Sequence, residues 1–143
     1  MCKLIWQSTL IALLLAGCAP LPPHPQDAQA KRLEPVPGKS VIYLLRDRPD
    51  FSAVAAPVML DDNFMGTTYE GTYFRWEVAP GNHRIAGFAS DSAVIDLTTQ
   101  PGQVYFVQQR MSPWSISPRS NFYNVREQDA REVLTRSQII PSP

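Results

Sequence analysis

Thiols, histidines and surplus charge are all scarce in this sequence. Its 143 residues include 2 cysteines, 2 histidines and 7 glycines, and 13 Lys+Arg balance 13 Asp+Glu. The balance of charge excludes the clustered Lys and Arg by which nucleic-acid binders displace counterions. The cysteines, Cys2 and Cys18, both lie in the first 18 residues, so the rest of the chain has no disulfide, no cysteine nucleophile and no Cys-ligated zinc. A histidine metal site fails as well, because His24 and His83 are far apart in different kinds of sequence. The glycines do not assemble a phosphate-binding loop ahead of a helix and instead punctuate turns and bulges. Long apolar runs are also missing. With 44% hydrophobic residues, the chain has the composition and length of one ordinary globular domain.

The amino end reads as a secretory signal. Lys3 supplies a positive charge, and Leu10-Ile11-Ala12-Leu13-Leu14-Leu15-Ala16 is an apolar core too short to span a bilayer. Leu15-Ala16-Gly17-Cys18 resembles a bacterial lipobox. Small side chains admit the backbone to a peptidase, and a thiol is the nucleophile that can form a thioether with a diacylglycerol group. The resemblance implies cleavage between Gly17 and Cys18, a lipid on Cys18, and a membrane anchor strong enough to hold. Ala19 after the cysteine, where Asp would favour retention at the inner membrane, implies the outer membrane of a Gram-negative cell, facing the periplasm. Without Lys3 the remaining chain carries one more acidic than basic residue.

Residues 18–37 are dense in proline and polar side chains, which predicts an extended tether of roughly 60 Å at polyproline spacing. From Gly38 the pattern changes to short apolar runs separated by turn residues. Val41-Ile42-Tyr43-Leu44-Leu45 is apolar at every position, as in a strand covered on both faces. Strands are expected at 57–60, 64–67, 73–78, 83–89, 93–98, 104–108 and 121–123. Asp61-Asp62-Asn63 turns the first hairpin through residues that tolerate left-handed backbone, and Pro80-Gly81 and Pro101-Gly102 suit type II turns. Arg46-Asp47-Arg48-Pro49-Asp50 alternates in sign and reads as a solvated strand end. Asn124 and Glu127 have capping-box spacing, and Ala130, Val133 and Leu134 share one face of a helix that covers an edge or end of the sheets.

These elements predict a mainly β fold, an antiparallel β-sandwich of seven or eight short strands with one C-terminal helix. The organisation is a signal over 1–17, lipidated Cys18 and tether to 37, a sandwich domain over 38–140, and a tail over 141–143.

Residues with chemistry are few. His83, with Ser90 or Asp91 nearby, is the arrangement a hydrolase would need, but no nucleophile motif accompanies it and a packing role across a strand pair accounts for it. Asp61-Asp62-Asn63 does not satisfy a calcium loop. Two connections suit binding: the apolar run from Phe51 to Ala56, and the Pro-bounded loop from Met111 to Arg119 that carries Trp114. Phe51, Trp114, Arg119 and Tyr123 are the candidate binding residues, although for Phe51 and Trp114 the favoured reading is that they plug the ends of the sandwich.

The order Gly38-Lys39 into Val41-Ile42-Tyr43, then Pro57-Val58-Met59-Leu60-Asp61, Gly66, Gly71-Thr72-Tyr73-Phe74, Val78-Ala79-Pro80-Gly81-Asn82-His83 and Pro101-Gly102-Gln103-Val104-Tyr105-Phe106 resembles the bacterial lipoprotein family of domain of unknown function 2846. Its turns are also similar to those of PEGA and transthyretin-like sandwich modules, with Asp62 where the family often has Gly. The resemblance implies a β-sandwich lipoprotein and supplies no catalytic residue. The expectation is a non-enzymatic envelope module without cofactor beyond its lipid, whose partners are the membrane and an envelope protein or peptidoglycan. A carbohydrate- or peptidoglycan-binding module is the alternative, and a hydrolase stands third.

Overall fold

The computed structural model describes residues 23–88, 92–112 and 119–142. Among them, nine strands and two helices run in the order α1 (Pro25–Ala30), β1 (Ser40–Arg46), β2 (Ala56–Leu60), β3 (Asn63–Thr68), β4 (Thr72–Val78), β5 (Gly81–Gly87), β6 (Val94–Thr99), β7 (Val104–Met111), β8 (Ser120–Asn124), α2 (Glu127–Thr135) and β9 (Gln138–Ile139). They form a five-stranded sheet ordered β8-β7-β1-β4-β9 and a four-stranded sheet ordered β3-β2-β5-β6. All eight strands expected from the sequence are present, and the mainly β sandwich-like fold holds. It is not wholly antiparallel, because β1 pairs parallel with β7 and β4 pairs parallel with β9.

The alternation of β1 explains why every residue from Val41 to Leu45 is apolar. Ile42 and Leu44 face the second sheet and join Val58, Phe74, Trp76, Ile85, Leu97, Val107 and Phe122 in the inter-sheet core. Val41, Tyr43 and Leu45 point the other way, onto Ala30, Leu33, Ala130, Val133 and Leu134. The molecule therefore has two cores, one between the sheets and one beneath the helices. In the inter-sheet core Phe74 and Trp76 stack at 5.4 Å between ring centroids. The Trp76 indole Nε1 is the one buried side-chain polar atom among the described residues without a hydrogen-bond partner, at a cost of about 1–3 kcal/mol.

The helices depart from expectation. α2 lies on the outer face of the five-stranded sheet and buries Ala130, Val133 and Leu134 there, so it builds a core rather than covering an edge. Asn124 does not cap it. That residue ends β8, the N-cap is Arg126, and no side chain closes the cap. The expected tether is corrected more deeply. Pro25–Ala30 is helical, with His24 accepting from the Gln26 amide and proline at the first turn. Asp27, Ala30 and Leu33 are buried, since the exposed outer faces of Tyr43, Tyr73 and Phe106 need a cover. The Tyr73 hydroxyl donates to Asp27 Oδ1 at 2.8 Å, the Tyr43 hydroxyl donates to the Ala30 carbonyl, and the Ile139 amide donates to Asp27 Oδ1 at 2.9 Å. Lys31 closes the group with an ion pair to Asp27 at 2.7 Å. Burial and the Asp27 hydrogen bond push the Tyr73 hydroxyl far above its ordinary pKa, so it remains a donor.

The turns follow the residues that make them. Asp61 and Asp62 both adopt positive φ, 50° and 64°, which is the two-residue hairpin geometry matching strand twist. Gly102, at φ 69°, suits the type II turn expected there, whereas Gly81, at φ 145°, opens β5 instead.

Leu33 sits 6% exposed in the core beneath the helices. Leu33→Ala is expected to lower unfolding free energy by about 2–5 kcal/mol in urea denaturation, whereas a residue in a solvated spacer would leave the midpoint unchanged.

Candidate functional site

One end of the sandwich collects the long connections. β1, β3, β5 and β7 finish there and β2, β4, β6 and β8 begin there, so the segments 47–55 and 69–71 lie with the described residues Phe88, Ser92, Ala93, Ser112 and Arg119. Five of the seven large apolar side chains exposed among the described residues stand at this end: Phe51, Val54, Tyr69, Phe88 and Val94.

Beneath them lies an ion pair that the sequence reading placed in solvent. Continuing the alternation of β1, Arg46 points inward after Ile42 and Leu44, and its side chain is 0% exposed. Arg46 Nε pairs with Asp50 Oδ2 at 2.9 Å, Nη1 donates to the Thr68 carbonyl at 3.0 Å, and Nη2 donates to the Ser52 carbonyl. Asp50 is 3% exposed and also accepts from the amides of Phe51 at 2.8 Å and Met111 at 3.1 Å. Its own amide donates to Glu70 Oε1 at 2.8 Å. Asp50 thus ties the β1–β2 loop to the end of β7 and to the β3–β4 turn. The polar network continues inward: Thr68 Oγ1 donates to Gln109 Oε1 at 2.6 Å, and Gln109 Nε2 donates to Ser120 Oγ at 2.8 Å. The solvated strand end is therefore corrected, at Arg46 and Asp50, to a buried pair, which burial tolerates because the guanidinium meets the carboxylate and two backbone carbonyls and the carboxylate also accepts from two amides.

Outside this pair opens a cleft of about 320 Å³, lined by Asp47, Pro49, Asp50, Phe51, Gln108, Gln109 and Arg110. Phe51 forms an exposed wall, 67% accessible. Gln108 and Arg110 share the outer face of β7 with Phe106, and Tyr123 of β8 is the partner of Gln108 across the strand pair. Asp47 is held by Arg136 through two hydrogen bonds of 2.8 Å. Desolvation raises the Asp47 carboxyl, but the Arg136 and Arg48 hydrogen bonds outweigh it and hold the group below its ordinary pKa.

Of the residues singled out from sequence, Phe51 lines the cleft and Tyr123 stands half exposed beside it. Arg119 is exposed ahead of β8, where its carbonyl accepts from the Ser112 amide at 2.8 Å. Trp114, Gly17 and Cys18 lie outside the described residues, as do Ser90 and Asp91. Sequence reasoning missed Asp50, Gln108 and Arg110. A signal for the first existed: an arginine at the end of a strand apolar on both faces, with an acid four residues on.

His83 lies at the opposite end. Its Nδ1 is 2.7 Å from Asp61 Oδ2 and its Nε2 is 2.7 Å from the Ala79 carbonyl, so both ring nitrogens face oxygen acceptors. Asp61 Oδ1 also accepts from the Arg84 amide at 2.8 Å. The histidine thereby clamps the β2–β3 turn to the β4–β5 turn, the packing role across a strand pair that the sequence allowed. Desolvation lowers the His83 pKa, and the Asp61 and Ala79 hydrogen bonds more than offset it, leaving the ring above its ordinary value. Desolvation likewise raises Asp61, and the His83 and Arg84 hydrogen bonds carry it below its ordinary value.

Two outcomes are expected. Asp50→Ala strands the Arg46 guanidinium without its partner, and equilibrium denaturation is expected to show a loss of about 3–5 kcal/mol. For the clamp, the raised His83 pKa makes its stabilisation complete below the unfolded value of about 6.5 and lost as pH rises through the folded value. The depressed Asp61 pKa makes its share complete above about 3.9 and lost as pH falls through its folded value. Urea midpoints of the native chain and His83→Gln are therefore expected to differ most between those limits and to converge in alkaline buffer.

Comparison with known proteins places this geometry in a family. A protein of Haemophilus influenzae named only as an uncharacterized protein is 25% identical over 130 residues, a span of 88% of this chain and 77% of that protein. The family model described as "Protein of unknown function (DUF2846)" matches residues 37–124, from just before β1 through β8 and including the converging loops. The chain belongs to the DUF2846 family.

Proposed function

We propose that the protein is a lipoprotein anchored through Cys18 to the outer membrane of a bacterial envelope, with its β domain acting as a non-catalytic interaction module in the periplasm. The observation that carries the reading is Leu15-Ala16-Gly17-Cys18 placed directly behind Lys3 and the apolar run. A cysteine at that point is the one nucleophile able to take a diacylglycerol thioether, and two or more acyl chains give stable attachment. The rest of the chain supports it: no other thiol follows Cys18, and no helix among the described residues is long and apolar enough to cross a membrane.

The start of α1 at Pro25 changes the reach of such an anchor. Residues 19–24 separate Cys18 from the first helix, and at full extension they span roughly 20 Å. The domain would ride close to the lipid headgroups rather than on a long stalk. A non-enzymatic role agrees with the geometry at His83, whose nitrogens are both taken up in the turn clamp. The peptidoglycan- or carbohydrate-binding reading draws on the exposed Phe51 and Tyr123 beside the cleft.

Mass spectrometry of the chain purified from its own membranes is expected to show a first residue at Cys18 carrying acyl mass, and Cys18→Ala is expected to move the protein out of the membrane fraction. A mature chain starting elsewhere, or without acyl mass, overturns the anchor. Retention on purified cell wall would favour the peptidoglycan reading over a protein partner, and passage through it would reject that reading.

A further inference from the structure

We propose that the cleft beside Phe51 binds the free carboxylate of a peptide terminus, received by Arg110 and Gln108. The inference goes beyond the anchored-module reading and does not depend on it.

The cleft's charges are unevenly committed. Asp50 is engaged by Arg46 and two backbone amides, and Asp47 receives both arms of Arg136 and the Arg48 amide. Arg110 is different. Its one hydrogen bond is from Nη2 to Gln108 Oε1 at 3.3 Å, and among the described residues no acid lies within ion-pairing distance of it. The Asp47 charge is felt at Arg110 through space, but both Asp47 oxygens already have partners. Among the described residues, the cleft therefore presents one guanidinium with no carboxylate paired to it.

Gln108 supplies the second donor. Gln108 is a lining residue, its amide oxygen accepts from Arg110, and its Nε2 has no hydrogen-bond acceptor among the described residues. That amide N–H is not among the buried unpartnered atoms, so it is open to donate to a ligand. A planar carboxylate matches the two groups together, taking the arginine fork on one side and the amide N–H on the other.

The remaining lining decides which kind of carboxylate. Gln109 is saturated by Thr68 and Ser120, and the two aspartates are occupied, so the cleft offers donors and few free acceptors. Sugar hydroxyls need acceptors as well as donors, whereas a peptide carboxylate needs donors alone. The volume of about 320 Å³ is at the small end for a ligand site and suits one or two residues. Phe51, an exposed ring on the wall, provides an apolar surface for the terminal side chain.

The test is calorimetric titration of the purified full chain with N-acetyl-Ala-Ala, with its C-terminal amide, and with glucuronate. The free acid is expected to bind roughly tenfold tighter than the amide, as the loss of charge-assisted hydrogen bonds dictates. Arg110→Gln is expected to erase that preference while the melting temperature stays unchanged, and Phe51→Ala is expected to weaken acid and amide alike. Equal binding of acid and amide, a preference that survives Arg110→Gln, or no heat at about 20 mM peptide would each overturn the proposal. Glucuronate binding tighter than the peptide acid would overturn the choice of a peptide. Lipidation of Cys18 has no bearing on any of these results, so a failed cleft and a failed anchor are told apart.

Discussion

The architecture of the loop-bearing end rests on the pair between Arg46 and Asp50. An isolated guanidinium this deep would be intolerable, and here the guanidinium meets a carboxylate and two carbonyls. The carboxylate in turn takes the Met111 amide at the position where β1 has ended and β7 continues. Three separate segments (the β1–β2 loop, the end of β7 and the β3–β4 turn) are thereby fixed by one residue, its carboxylate holding the first two and its amide the third. Such a pair adds little net stability over an apolar replacement, and its attested benefit lies in fixing a unique arrangement. The arrangement fixed here is the cleft, whose walls come from the β1–β2 loop and the end of β7.

A second constraint acts on the opposite face of the five-stranded sheet. β1 and β4 cannot leave Tyr43, Leu45 and Tyr73 to water, and the sheet partner across the sandwich reaches one face alone. The chain answers at both ends, with α1 and Leu33 from the amino side and α2 and β9 from the carboxyl side. Asp27 holds the two together, bonded to Tyr73, Lys31 and the Ile139 amide. The segments flanking the β domain are consequently part of its fold. If Cys18 carries the lipid, the membrane surface lies a few residues from this layer.

Much of this was legible in the sequence, and the failures share a cause. The period-two pattern of 73–78 and the run at 41–45 placed strands correctly because strand pleating acts locally. Asp61 and Asp62 announced their turn for the same reason. What the sequence concealed was tertiary. Pro25–Ala30 looks like spacer because two buried residues in six give no apolar stripe, and its burial is dictated by tyrosines on distant strands. Arg46 looked solvated because its charge outweighed the inward phase of its strand, and only Asp50 folding back makes that phase tenable. The parallel pairing of β1 with β7 leaves no local trace at all. In the cleft, Phe51 was singled out by its apolar loop. Gln108 and Arg110 were not, since their significance lies in bonds they do not make.

The central claim is that Asp50 organises the converging loops into a fixed site. Amide hydrogen exchange tests it most directly at Phe51 and Met111, whose N–H groups its carboxylate accepts. The account predicts that both amides exchange as slowly as those of β1 in the native chain, and that Asp50→Asn releases them while the β2–β5 ladder remains protected. Exchange of Phe51 and Met111 at the rate of an open loop in the native chain would contradict it.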